Sequence, residues 1–205
     1  MKLIHVIKKV RLLCNLFFAL PKQIYYLCIL KKYSFRSKII SPLQIDGAKN
    51  ISIGKRVTIN YKTWLASLPH GNEYSYLEIG DGTTIGHFNH IYCTSSIVIG
   101  KNVLTADKVY ISDNLHGYSD IETPISRQPI IQKEKICIGD GAWLGENVCV
   151  IGASVGKNSV VGANSVVTKD IPDYTVAVGI PAYIIKRYNF ETKQWQRTNK
   201  QGEFV

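Results

Sequence analysis

A chain of 205 residues, 45% of them hydrophobic, is long enough to bury one sizeable core and too short for two comfortable domains, so one folded domain with appendages is expected. The net charge of +10 dissolves once it is mapped: residues 1–45 hold nine Lys/Arg and no Asp or Glu, while the remaining 160 hold 16 basic and 15 acidic groups. A nearly neutral body argues against nucleic-acid binding. Five cysteines, none in a C-x-x-C pair, argue for a reducing compartment and against a disulfide framework.

The first segment, residues 1–45, is basic and apolar. Leu3, Ile4, Val6, Ile7, Val10, Leu13, Cys14, Phe17 and Phe18 fall near helical spacing, with Lys2, Lys8, Lys9 and Arg11 among them. This predicts an N-terminal helical segment that lies on an anionic membrane surface, packs over the end of the body or spans the bilayer. Pro21-Lys22-Gln23 offers no small-residue cleavage site, which speaks against secretion. Together with Asn15 it also interrupts the apolar run before spanning length.

The body, residues 46–180, repeats with a period of six. An aliphatic residue followed by Gly recurs at Ile53-Gly54, Ile79-Gly80, Ile85-Gly86, Ile99-Gly100, Ile138-Gly139, Leu144-Gly145, Val155-Gly156 and Val161-Gly162. The phase extends through Ile91, Ile97, Thr105, Ile111, Val150 and Val167, and four residues after the anchors stand Val57, Thr83, Val103, Val109, Ala142, Val148, Ser159 and Ser165. Neither a helix nor an alternating strand has this period; a short strand plus a tight corner does. Three such sides make a coil of about 18 residues, stacked on the next at about 4.8 Å. The Gly after each anchor is expected to relieve the backbone where the chain turns. From Val150 to Val155 the step is five, which predicts a tighter turn.

Two stretches interrupt the period. Residues 112–137 lie between Ile111 and Ile138 and must leave the stack as an extruded loop, carrying Ser112-Asp113-Asn114-Leu115-His116-Gly117. Residues 60–76 form a second irregular stretch rich in aromatic residues, with Trp64 and His70. Residues 181–205 form a C-terminal cap.

The repeats resemble the hexapeptide-repeat acyltransferases. The densest part runs from Ile138-Gly-Asp-Gly-Ala-Trp143-Leu-Gly-Glu-Asn-Val through Val161-Gly-Ala-Asn-Ser-Val-Val-Thr168-Lys169-Asp170-Ile-Pro172 to Gly179-Ile-Pro181-Ala182, and the whole resemblance covers about residues 46–190. It implies an all-β solenoid, a left-handed parallel β-helix assembled as a homotrimer, that moves an acetyl group from acetyl-CoA. Such transfer needs a base for the attacking hydroxyl or amine and donors for the developing oxyanion. His116, the one His of the extruded loop, is the candidate base, and the family places a His in this Asp-x-x-His-Gly setting in that role. Asp113 either orients the imidazole or caps the turn.

For the co-substrate, small residues such as Ala142, Gly145 and Ala163 let the coenzyme A arm approach the backbone between coils. Trp143 beside them walls the thioester or packs. By resemblance Glu146, Ala163, Thr168, Lys169 and Lys186 fall where related enzymes contact acetyl-CoA. Asn89 and His90 are read as either facing the acceptor or sitting at solvent-exposed corners. His87 and His90 lack the third partner a zinc site needs, so no metal is expected. The loop, the basic start and the tail look most like bacterial enzymes that O-acetylate lipopolysaccharide O-antigen or capsule sugars. Acetylation of a nucleotide-linked amino sugar, serine or an antibiotic, and a non-catalytic trimeric scaffold, stay open. A cytoplasmic location follows from the cysteines, with peripheral attachment to the inner membrane if residues 1–45 bind lipid.

Overall fold

The computed structural model describes residues 20–71 and 74–205. The protein is mostly β, and the chain visits three parallel sheets in a fixed rotation. The first sheet stacks Lys38–Ile39, Thr58–Ile59, Thr84–Ile85, Leu104–Thr105, Trp143–Leu144, Val160–Val161 and Thr175–Val178. Gln44–Asp46, Trp64–Ser67, His90–Cys93, Tyr110–Ser112, Cys149–Ile151 and Val166–Val167 form the second. The third holds Ile51–Ile53, Tyr76–Ile79, Ser96–Ile99 and Ile136–Ile138, and single bridges through Val155 and Ile171 carry it onward.

The period of six translates directly into burial. Every anchor from Ile53 to Val167 is buried, and so is every residue four places later, from Val57 to Ser165. Each fully buried Ile, Leu or Val contributes about 1.5–3 kcal/mol, and the column of such residues through the middle of the stack is the core.

The role of the anchor glycines differs from the expectation. None of them has a positive φ; the left-handed residue sits two places later, at Arg56, Gly82, Phe88, Asn102, Lys108, Gly141, Asn147, Asn158 and Asn164. Asn tolerates that conformation better than most side chains, which explains its recurrence there. What requires glycine after the anchor is the neighbouring coil. A Cβ on Gly80 would stand 2.6 Å from the carbonyl carbon of Gly100, and one on Gly139 2.5 Å from the amide nitrogen of Lys157.

Aspartates bridge the coils at these corners. Asp81, Asp107, Asp140 and Asp173 each accept the backbone N–H of the preceding coil, from Lys55, His87, Lys101 and Lys157, at 2.6–2.7 Å. The Lys55 amide holds the Asp81 carboxyl below its ordinary value of 3.8, and the His87 amide does the same for Asp107.

The coil containing the five-residue step is short: Trp143 lies opposite Val160, 17 positions on (160 − 143). Gly152 makes the tight turn at φ 58, and Ala153 packs inward.

Several boundaries move. The stack begins before residue 46, because Lys38–Ile39 and Gln44–Asp46 are already strands of the first two sheets. Residues 20–29 are helical, and Tyr26, Leu30 and Tyr33 join the core over the first coil. The expectation of a helix over residues 1–19 lies outside the described residues. The stretch 60–76 is irregular only in part: Trp64–Ser67 is a strand of the second sheet, since Leu65 keeps the inward phase without a following Gly. The extruded loop is a hairpin, Asn114–His116 paired antiparallel with Ile130–Gln132, and the third sheet resumes at Ile136 rather than Ile138. The C-terminal residues extend the first sheet with two antiparallel strands, Tyr183–Asn189 and Gln194–Arg197.

Because the Gly139 position is closed by backbone of the next coil, Gly139→Ala should lower stability by about 1–3 kcal/mol, the range for forcing a methyl into a packed site. Urea unfolding checks this, and a midpoint equal to that of the parent would refute the close-approach account.

Candidate active site

The outer face of the second sheet carries a column of rings. In-register pairing sets Trp64 opposite His90 and His90 opposite Tyr110. The Trp64 and His90 rings stack at 4.2 Å between centroids with 5° between planes, and Tyr110 tilts against His90 at 5.3 Å. Tyr92 stands edge-on to both Trp64 and His90, and its hydroxyl is 3.5 Å from His70 Nε2. The Trp64 indole donates to Asp46 at 2.8 Å, which fixes the base of the column. Burial lowers the pKa of His90 below its ordinary 6.5, so this ring is held neutral, and its Nε2 is buried with no hydrogen-bond partner among the described residues.

The hairpin hangs beside this column. Asn114, Leu115, His116 and Ile130 close a cleft of about 430 Å³ against His70, His90, Tyr92 and Tyr110. His116 is exposed, and its imidazole has no hydrogen-bond partner among the described residues. Its backbone is fixed by pairing with Ile130.

Asp113 holds the base of the hairpin. It is fully buried, and its carboxylate accepts the backbone N–H groups of Thr94 (2.7 Å), Ser95 (2.8 Å) and Ser96 (2.9 Å). The Asn114 amide adds a donor at 3.2 Å. The Thr94 hydroxyl lies 2.9 Å from Asp113 Oδ1 and 2.8 Å from Gln132 Oε1, while Gln132 Nε2 and the Lys133 amide both donate to the Asp113 carbonyl. Burial, reinforced by the Asp113 charge, pushes the neighbouring Cys93 thiol up to about 12 and keeps it neutral. Of the two readings of Asp113, orienting the imidazole is therefore corrected and holding the turn is what the hydrogen bonds match: the carboxylate is saturated by the turn of the preceding coil.

Asn89 is corrected as well. It is neither an acceptor contact nor an exposed corner, because its amide donates to Thr105 Oγ1 and the Ala106 carbonyl while its oxygen takes the Val109 N–H at 2.6 Å. His90 is half-buried and does line the cleft with His116. His87 sits at an exposed corner paired with Asp107 at 3.0 Å, and no cluster of three metal-ligating side chains occurs among the described residues.

The residues expected around acetyl-CoA fall in several places. Ala142 is corrected to a core position, fully buried at an inner corner. Trp143 stands on the outer face of the first sheet, 48% exposed, next to the equally open Leu104. Glu146 is exposed and ion-paired with Lys108 at 3.1 Å, and Ala163 lies at the same set of corners one coil on, pressed against Gly145. Thr168 and Lys169 line a hollow of about 520 Å³ with Pro181, Tyr183 and Lys200. Lys186 is exposed on the first sheet opposite Val176 and does not line that hollow. Lys200 and Tyr183 escaped the sequence reading because only the C-terminal hairpin brings them back to Thr168; the Trp64, Tyr92 and Tyr110 rings escaped it because their alignment is across coils.

Residues 135–169 match the family model described as the hexapeptide repeat of succinyl-transferase. Over 163 residues the chain is 36% identical to an Escherichia coli K12 protein named as a lipopolysaccharide biosynthesis O-acetyl transferase, covering 76% of this chain and 81% of that protein. It is 28% identical to the galactoside O-acetyltransferase of the same strain, over 75% of each. A solved hexapeptide-repeat acetyltransferase from Vibrio cholerae O1 biovar eltor, complexed with acetyl coenzyme A, superposes with a TM-score of 0.58 at 25% identity, over 80% of this chain and 74% of that one.

Removing the Asp113 carboxylate leaves the buried Thr94 N–H and the partly buried Ser95 and Ser96 N–H groups without their acceptor, a fully buried one costing about 1–3 kcal/mol. Asp113→Ala should therefore lower stability by roughly 3 kcal/mol or more and loosen the hairpin. Hydrogen exchange at Thr94–Ser96 and across Asn114–His116 reads both effects; unchanged protection would show that the carboxylate does not hold the loop.

Proposed function

The chain belongs to the hexapeptide-repeat acetyltransferases, and on that footing we propose that it moves an acetyl group from acetyl-CoA to a sugar hydroxyl of a bacterial surface polysaccharide, O-antigen or capsule, with His116 as general base. The observation that carries the reading is the exposed His116 imidazole, without a hydrogen-bond partner among the described residues, at the edge of a ring-lined cleft. In this account the three parallel sheets are the faces of a left-handed β-helix.

The acceptor hydroxyl lies in the cleft against the Tyr92 and Tyr110 rings, whose apolar faces suit the C–H face of a pyranose. Neutral His116 takes the hydroxyl proton as the oxygen attacks the thioester carbonyl. The tetrahedral intermediate collapses by breaking the carbon–sulfur bond, and the imidazolium returns its proton to the departing coenzyme A thiolate. Because Asp113 is committed elsewhere, it does not orient the imidazole, and the hairpin backbone sets where the His116 side chain begins.

Glu146, Ala163, Thr168, Lys169 and Lys186 are the proposed acetyl-CoA contacts, with Trp143 beside the thioester. Their spread over the outer faces of one chain supports a side-to-side homotrimer in which His116 of one chain and Lys169 of another share a pocket. The open Leu104–Trp143 stripe supports the same arrangement. A cytoplasmic site of action agrees with the unpaired cysteines.

His116→Ala should reduce kcat by about 10²–10⁴-fold with little change in acetyl-CoA affinity. Turnover at the parent rate would remove His116 from the mechanism. Lys169→Ala should weaken coenzyme A more than dephospho-coenzyme A, since a charge-assisted contact to phosphate is its assigned role. Calorimetry with the two ligands decides, and equal loss for both would exclude that contact.

A further inference from the structure

The helix over the first coil has two apolar faces. One, with Tyr26 and Leu30 and the partly covered Leu27, packs on the core. On the other, Leu20, Ile24 and Cys28 recur every fourth residue with Tyr25 beside them, all exposed and with no charge among them. A helix apolar on both faces needs a second apolar surrounding. Nothing among the described residues covers this face.

Its borders are cationic. Lys22, Lys31, Lys32, Arg36 and Lys38 are all exposed, and none has an acidic partner among the described residues. Beside the helix lies a hollow of about 680 Å³ in which Lys32, Arg36 and Lys55 face one acid, Asp81, with exposed Phe35 at its wall. Phe35, Ile40 and Leu43 extend the exposed apolar surface at this end of the stack. Apolar side chains flanked by unpaired cations, in a 45-residue segment without a single acid, are complementary to one kind of surface, an anionic lipid bilayer.

We propose that the N-terminal end of the stack is a docking face for an anionic bilayer, with Leu20, Ile24 and Tyr25 entering the interface and Lys31, Lys32 and Arg36 meeting lipid phosphates. The face is on the first coil, away from the Thr168–Lys169 hollow at the other end, so docking leaves the proposed acetyl-CoA site open.

The test is flotation of the full chain with phosphatidylcholine vesicles prepared with and without phosphatidylglycerol, at low and high salt. Binding should require the anionic lipid and weaken with salt. Each cation near the leaflet is worth about fivefold, so Lys31→Gln/Lys32→Gln/Arg36→Gln should weaken it roughly 100-fold while the melting temperature stays unchanged. Leu20→Ser/Ile24→Ser should weaken what binding remains at high salt. Equal binding to neutral vesicles, parent-like binding by the triple variant, or no binding by the parent overturns the proposal. So does self-association without lipid that Leu20→Ser/Ile24→Ser abolishes, because it would assign the face to a second copy.

Discussion

The close approach of one coil to the next governs everything else in this fold. Parallel in-register pairing puts the same side of each coil over the same side of its neighbour, so each residue is constrained by those one coil away. Aliphatic residues fill the axis, small or β-branched residues fill the corners, and glycines such as Gly80, Gly139 and Gly145 face the backbone of the next coil at a separation no Cβ can occupy. The aspartates two places beyond the anchors then hydrogen-bond to amides that the rotation of the chain leaves outside the sheets. Such a body has no room for irregular chain inside it. Extra residues leave at corners, and the hairpin carrying His116 departs at one of them, directly after Ser112.

This geometry explains what could be read from the chain and what could not. The anchors and the residues four places later were legible because both are constrained at every level. The edges of the stack were not: Ile39, Ile59 and Leu65 hold the phase and are buried, but no Gly follows them, and the Ile-Gly signature does not register them. The glycine role was misplaced for a related reason. Close approach is a relation between residues a whole coil apart, and a turn is the local explanation that comes first to hand.

Asp113 and Asn89 show the same limit at the site. Three residues of separation made Asp113 look like a partner for His116, yet the residue begins the hairpin while still belonging to the corner, and the amides of the preceding coil reach it first. Asn89 occupies the small-residue corner position, where its amide replaces a Thr or Ser hydroxyl in bridging coils; Thr83 does this with Gly100 and Val103. The placement of His116 on an extruded loop beside the sheets was legible, because the break in the period marks where the chain leaves. The ring column beside it was not, since Trp64, His90 and Tyr110 become neighbours only once the coils are aligned.

The two ends of the stack solve one problem in different ways. A terminal coil exposes the aliphatic column that every inner coil hides, and the fold must cover it. At the C-terminal end the first sheet turns back on itself through Tyr183–Asn189 and Gln194–Arg197, so cover and sheet are one hydrogen-bonded unit in which Lys186 and Arg197 pair across the two strands. At the N-terminal end the cover is a helix, and a helix brings a second face of its own. Had covering been its only task, charged residues on that second face would have served. The apolar choice at Leu20, Ile24 and Tyr25 is therefore a property of the helix that capping alone does not require.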